Sequence, residues 1–206
     1  LLLSYKEDDF VEALARAAGV VVDALAAREG VPQGGTVAAT VRAFYSPDAA
    51  VRVLDAGIRA PEGWTVAPGT ANVPGAERAP FSRAFAISVP SGVEPTQPYF
   101  LAVPRDGDRY GWNAEAPKAA PFAQGPLVGW VTVEIAGTAV TLEKRVDYRY
   151  ADRVRGEIRR NVNVVPALTV GVDSPLLIVP LGTEPSRHPV VVTVTSHAAG
   201  GAGTEG

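Results

Sequence analysis

The chain is predicted to be mainly β: an immunoglobulin-like antiparallel β-sandwich preceded by one amphipathic α-helix, with a partial second sandwich at the C-terminus. Three observations lead there. No Pro occurs before residue 32 and all 18 lie from there on. The apolar period changes from helical spacing to strict alternation near Thr36. From that point the chain is a series of short apolar runs separated by Pro and Gly, the pattern of many short strands joined by turns.

The elements follow in order. Ser4-Tyr5-Lys6-Glu7 has the form of a capping box, with Ser at N-cap and Glu at N3. Phe10, Leu14, Ala18, Val21, Val22 and Leu25 then recur at helical spacing, which leaves Glu12, Arg16 and Asp23 toward water. The spacing predicts a helix over 4–28, stopped by Gly30 and Pro32 and docked through Phe10, Leu14, Val21 and Leu25. Val37, Ala39, Val41 and Ala43 share one face of the first strand. Residues 51–54 form another, Pro61-Glu62-Gly63-Trp64 reads as a turn, and 67–80 reads as loop. Phe85, Ile87 and Val89 alternate, 99–103 is a short apolar run, and 104–125 is a long loop expected to be ordered by its own aromatic side chains. Residues 127–135 make the strongest strand, and a turn at Ala136-Gly137-Thr138 leads into Val140, Leu142, Val146, Tyr148 and Tyr150. After Arg160 the alternation restarts in Leu168, Val170 and Val172, with further apolar runs at 176–179 and 190–194. The resulting division is a helical segment over 1–30, a sandwich over 31–160, and over 161–206 the opening of a second sandwich with a Gly-rich tail.

Composition narrows the function. There is no Cys and no Met, and both His, His188 and His197, lie near the C-terminus. Zero Cys excludes disulfides and thiolate metal sites, and fits an oxidising compartment. A net charge of -3 argues against nucleic acid as the main partner. Leu1-Leu2-Leu3 is too short for a membrane span or a signal core. The missing initiator suggests a piece of a longer, secreted or periplasmic bacterial protein.

Each candidate site has a plain structural reading beside it. His188 and His197 lie nine apart with no carboxylate at ligand spacing, short of the three or four ligands zinc requires. Asp106-Gly107-Asp108 has the start of a calcium loop but lacks its terminal Glu, so it reads as a turn. The Arg-rich stretch 144–160 is interleaved with Glu157, Asp147 and Asp152, as a mixed-sign strand face is. Tyr99, Tyr110, Trp112 and Phe122 gather around the long loop, and Trp130 sits on the polar side of its strand. Tyr110, Trp112, Phe122 and Trp130 are therefore the candidate ligand or partner contacts, with core packing under the loop as the alternative. No catalytic, cofactor-binding or metal-ligating set stands out, and neither a nucleophile elbow, a phosphate loop nor a dinucleotide fingerprint is present.

Several stretches together resemble a known family. They are Asp23-Ala24-Leu25 running into Val31-Pro32-Gln33-Gly34-Gly35, then Pro61-Glu62-Gly63-Trp64, then Val89-Pro90 with Glu94-Pro95-Thr96-Gln97-Pro98-Tyr99-Phe100-Leu101, and finally Gly156-Glu157-Ile158-Arg159-Arg160 leading to Val164-Val165-Pro166. This resembles the C-terminal accessory region of long bacterial PIG-L (LmbE-like) deacetylases, and the Pro-x-Gly-Trp turn also resembles sandwich domains attached to glycosidases. The resemblance implies a parent whose N-terminal α/β catalytic domain holds zinc and removes N-acetyl groups from amino sugars. None of that domain's zinc motif is present, so no catalytic residue carries over and no cofactor belongs to this chain. The expected function is a non-catalytic accessory module whose partner is the catalytic domain of the same polypeptide, with glycan as a second partner. A carbohydrate-binding module of another secreted glycan enzyme and a structural or protein-interaction spacer are the alternatives.

Overall fold

A computed structural model of the protein describes residues 2–70, 73, 79–111, 124–173, 176 and 188–197, the side chains of 2–5 excepted. Helix α1 (Leu2–Ala17) comes first, followed by β1 (Val21–Ala26), β2 (Gly30–Pro32), β3 (Thr36–Phe44), β4 (Val51–Arg59), β5 (Thr65–Pro68) and β6 (Phe81–Ser88). Then come β7 (Val128–Ile135), β8 (Thr138–Arg145), β9 (Asp147–Asp152), β10 (Gly156–Asn161), β11 (Asn163–Val165), β12 (Leu168–Val172) and β13 (Val192–Ser196), while most of the stretch 104–125 read as an ordered loop lies outside the described residues.

The protein is mainly β, with one helix and several antiparallel sheets. One sheet has the order β10-β9-β1-β3-β6-β5 and another β4-β7-β8. Removing β9 and β10 leaves four strands facing three, in the arrangement of a constant-type immunoglobulin domain. Strict alternation builds the core. Val131, Val133 and Ile135 point inward from β7, while Ala24, Ala26, Ala39, Val41, Ala43 and Ile87 face them from the larger sheet. The facing side chains are small, so the sheets approach closely at the centre. A Cβ on Gly129 would sit 2.7 Å from the Cβ of Ala24.

The hairpin between β7 and β8 turns on Ala136 and Gly137, both at positive φ, as a two-residue type I′ turn requires. Tyr148 and Tyr150 do not prolong that hairpin. The chain changes sheets at the buried Val146 and enters β9, which runs parallel to β1 with Leu25 beside Asp147. A β8 strand of eight residues fills the edge of the small sheet, and the next stretch closes the free edge of the large one.

The N-terminal segment departs most from expectation. The helix begins at Leu2, so Ser4 lies inside its first turn rather than at its cap. It ends at Ala17 rather than Arg28. The Val20 N–H donates to the Ala15 carbonyl (2.9 Å) and the Gly19 N–H to the Arg16 carbonyl (3.1 Å), with Gly19 at φ 66°. That is a Schellman stop, and it is followed by the β-branched run Val20-Val21-Val22, which favours a strand. Leu14 is half-buried against the core, as expected, but Phe10 and Val21 are exposed. Asp23 is buried in a strand rather than turned to water. The sandwich therefore starts at β1, not residue 31, and reaches through β11, which pairs in parallel with β2.

Two further differences concern loops. Strand β5 runs to Pro68 and so takes in residues 67 and 68, the start of the stretch read as loop. The run at 99–103 is turn and bend with Leu101 exposed, because Pro98 and Pro104 bracket it. Beyond β11, β12 and β13 form a separate two-stranded sheet. Leu168, Val170, Val172, Val192 and Val194 line one face of it and are exposed; Thr169, Gly171, Thr193 and Thr195 line the other. Most of the run at 176–179 lies outside the described residues.

Candidate functional site

Four of the stretches that carry the family resemblance, 31–35, 61–64, 89–101 and 164–166, are far apart in the chain and meet at one end of the sandwich. Val31 of β2 pairs with Val164 of β11. On the other side of β11, the Thr96 N–H donates to the Val164 carbonyl (2.8 Å), and the Val164 N–H donates to Thr96 Oγ1 (2.8 Å). Gln33 holds the same end together twice: its backbone N–H donates to the Val165 carbonyl (3.1 Å) and its side-chain amide to the Val93 carbonyl (2.7 Å). The tight Pro32–Gly35 turn needs glycine at Gly35, where a Cβ would lie 2.7 Å from the Pro32 ring. Gly35 in turn accepts from the Val89 N–H (2.9 Å), and Gly63 of the Pro-x-Gly-Trp turn lies against Pro90.

This convergence frames a groove of about 510 Å³. One wall is the 95–100 segment, the opposite rim is Gln124-Gly125-Pro126, and the floor is formed by Asn161, Asn163 and the Val164-Val165-Pro166 run. Its polar side chains are four carboxamides, from Gln97, Gln124, Asn161 and Asn163, and the hydroxyls of Thr96 and Tyr99; none of the described residues lining it is charged. Tyr99 and Phe100 supply the aromatic surface. Their rings meet edge to face at 5.6 Å, and Phe100 meets Tyr110 in the same way at 6.1 Å. The volume lies within the range of small-molecule sites, roughly 300–1,000 Å³.

The residues singled out in the sequence separate. Tyr110 is exposed and belongs to the aromatic trio beside the groove. Trp112 and Phe122 lie outside the described residues. Trp130 is half-buried and lies across the backbone of its cross-strand partner Gly57, where a Cβ would come within 2.5 Å of the indole. It covers a glycine in β4 and does not line the groove. Of the groove's carboxamides only Gln97 falls within a motif singled out in the sequence; Gln124, Asn161 and Asn163 carried no signal of their own.

Elsewhere charge is used for cross-bracing. Asp23 accepts from Arg42 (2.6 Å) and from Arg159 (2.7 Å), and Arg159 also donates to Glu157 (2.7 Å). This ties β1, β3 and β10 together and gives the Arg-rich 144–160 stretch the mixed-sign structural role read from its composition. Burial pushes the Asp23 carboxyl up, but hydrogen bonds and charge from Arg159 and Arg42 outweigh it and hold the group below its ordinary value. Asp147 is pushed up by burial, against the pull of Arg145, Arg159 and Lys144. Asp106 and Arg109 close the predicted turn with reciprocal backbone bonds of 3.1 and 3.0 Å. His197 pairs with the Thr169 hydroxyl at 3.0 Å. Among the described residues no group of three or more His, Asp or Glu is placed to hold a metal, and no helix is long and apolar enough to cross a membrane.

Comparison with family models, curated proteins and solved structures gave no match to the chain.

Proposed function

We propose that the chain is a non-catalytic accessory β-sandwich of a PIG-L-like, zinc-dependent N-deacetylase acting on amino sugars, and that its groove end is its working surface. The supporting observation is the convergence. Of the stretches that carry the resemblance, 31–35, 61–64, 89–101 and 164–166 lie up to 135 residues apart and touch one another at one end of the sandwich, where 95–100 and 164–166 line the groove, while 23–25 and 156–160 stand in β1 and β10 and do not line it. Framework residues alone would be spread through the core; a cluster at one end marks a surface with a task. Zinc and the acid–base groups belong in this reading to the parent's catalytic domain. This chain supplies a rigid support and a recognition face.

The test is association. The chain, mixed with a separately produced, zinc-loaded PIG-L-type catalytic domain, should form a 1:1 complex by light scattering. It should also raise kcat/KM on acetylated oligosaccharides more than on the monosaccharide. Absence of a complex at high micromolar concentration would remove the reading. Zinc-dependent deacetylation by the chain alone would remove its non-catalytic part.

A further inference from the structure

We propose that the open edge of β8, beside α1, takes up an extended peptide segment as an added strand, one that carries apolar residues and a basic residue on the same face. This surface shares no lining residue with the groove at the 95–100 segment and does not rest on the accessory-module reading.

The first observation is the ladder. β7 and β8 pair in unbroken register, from Val128 opposite Arg145 to Ile135 opposite Thr138. The next pair outward is Leu127 and Val146, and it is hydrogen-bonded: the Val146 N–H donates to the Leu127 carbonyl (3.0 Å). Bonded and non-bonded pairs alternate along an antiparallel ladder. Val140, Leu142 and Lys144 therefore turn their backbone groups to β7, and Ala139, Thr141 and Glu143 turn theirs outward. β8 is the last strand of its sheet, and among the described residues no turn or loop bond reaches those three. All three are exposed. An edge with such a row of backbone groups is a template for one more strand.

The second observation is space beside that edge. A groove of about 800 Å³ is lined by 141–143 of β8, by residues 20–22 and by positions 8, 11, 12, 15 and 16 of α1, which share one face of the helix. No residue of β7 lines it, so it lies on the open side of β8. Val11, Val21 and Leu142 give it apolar surface, and Val21 is 59% exposed. Alternate side chains of a strand point the same way. Every second residue of an added strand thus meets this surface while its backbone meets β8.

The third observation is charge, and it selects the occupant. Asp8, Glu12 and Glu143 line the groove against a single guanidinium, that of Arg16. Glu12 accepts from Arg16 (3.0 Å) and Glu143 from Arg59 (2.6 Å), whereas Asp8 makes no ion pair among the described residues. A basic residue on the inward face of the added segment gains Asp8 as its partner. An acidic one meets three carboxylates.

Fluorescence polarisation on the whole chain with labelled heptapeptides tests this. The probes have the form Thr-Val-Thr-X-Thr-Val-Thr, with X as Arg, Gln or Glu, so that Val and X share one face. The Arg peptide should bind at least about tenfold more tightly than the Glu peptide, with Gln between, and high salt should narrow the spread. N-methylation of one alternate set of amides should abolish binding, and of the other set leave it within about threefold, because only one set bonds β8. Thr141→Pro deletes an outward donor without touching the β7 ladder, and should weaken all three peptides about tenfold or more. Asp8→Lys, at an exposed helical position, folds even if Thr141→Pro does not, and should cancel the preference for Arg over Glu. No saturable binding at millimolar peptide, equal loss from the two N-methylated sets, wild-type affinity in a folded Thr141→Pro variant, or a preference unmoved by Asp8→Lys would each overturn the proposal. So would concentration-dependent dimerisation that Thr141→Pro abolishes, which would give the edge to a second copy.

Discussion

Removing the carboxylate of Asp23 should be among the costliest single changes in the sandwich. The Arg42 side chain that it neutralises is only 2% exposed, and Asp23 itself 10%. Replacing Asp23 with Leu takes the carboxylate away from a buried guanidinium, which costs about 3–5 kcal/mol when a buried pair loses one partner. Arg159 does not share that fate, because at 32% exposure it can turn toward solvent and keep Glu157. Arg159→Ala should therefore cost about 1 kcal/mol or less. The decisive variant is the double one. Asp23→Leu with Arg42→Met removes both charges and keeps the volume apolar. It forfeits the contact of Arg42 with the Phe44 ring (5.6 Å), a loss of roughly 1 kcal/mol. The double variant should thus be more stable than Asp23→Leu alone, with a coupling of about 2–3 kcal/mol in a urea-denaturation cycle. The pair also sets a pH dependence. Asp23 titrates below its ordinary 3.8 in the folded state. Its contribution is present above that unfolded value and is lost as pH falls through the lower folded one. Asp23→Leu should accordingly flatten the acid limb of the stability profile. A single variant costing less than about 1 kcal/mol, or a double variant as unstable as the single, would refute the reasoning.

Three further outcomes are expected. Gly57→Ala places a methyl 2.5 Å from the Trp130 indole and should cost about 1–3 kcal/mol with a shift in Trp fluorescence, as overpacking does. Ala136→Asn creates an Asn-Gly pair at a turn where Ala136 sits at φ 48°, and should stabilise by about 0.5–1 kcal/mol in the same denaturation assay. Asp147→Asn should raise the urea midpoint at pH 7. Burial raises this carboxyl, so its charged form is disfavoured in the fold and the wild-type chain gains stability as pH falls through its folded value. The gain of the variant should shrink at acid pH.

Much of the fold was legible because alternation is a local signal. β7 presents a clean two-residue period to the core, β3 keeps its small apolar residues on one face although Thr40 and Arg42 opposite are buried as well, and the Ala136-Gly137 turn is readable from two residues. The N-terminal segment misled because Val21, Val22 and Leu25 satisfy a helical period and a strand equally in so short a run. The discriminating residue was Gly19, whose φ depends on a stop that only the folded backbone reveals. The groove was less legible. Thr96 and Val164 are 68 residues apart, and neither carboxamides nor prolines announce a site until the chain brings them together. Trp130 was found as an anomaly in the strand pattern, but its explanation, the bare backbone of Gly57, sits on another strand.

The parallel pairing of β9 with β1 has a consequence for the order of folding. Leu25 finds its neighbour Asp147 only after more than half of the chain has been made, and Asp23 meets Arg159 across 136 residues. Closing so long a loop must precede the contacts that reward it, which places this sandwich among the slower-folding topologies, in the millisecond-to-second range or beyond. On a ribosome adding about 5–20 residues per second, β1 waits several seconds with an open edge beside a β3 that is already able to pair with it. The first strand to emerge is one of the last to be enclosed, and during that interval the nascent chain presents a template for mispairing that its finished form conceals.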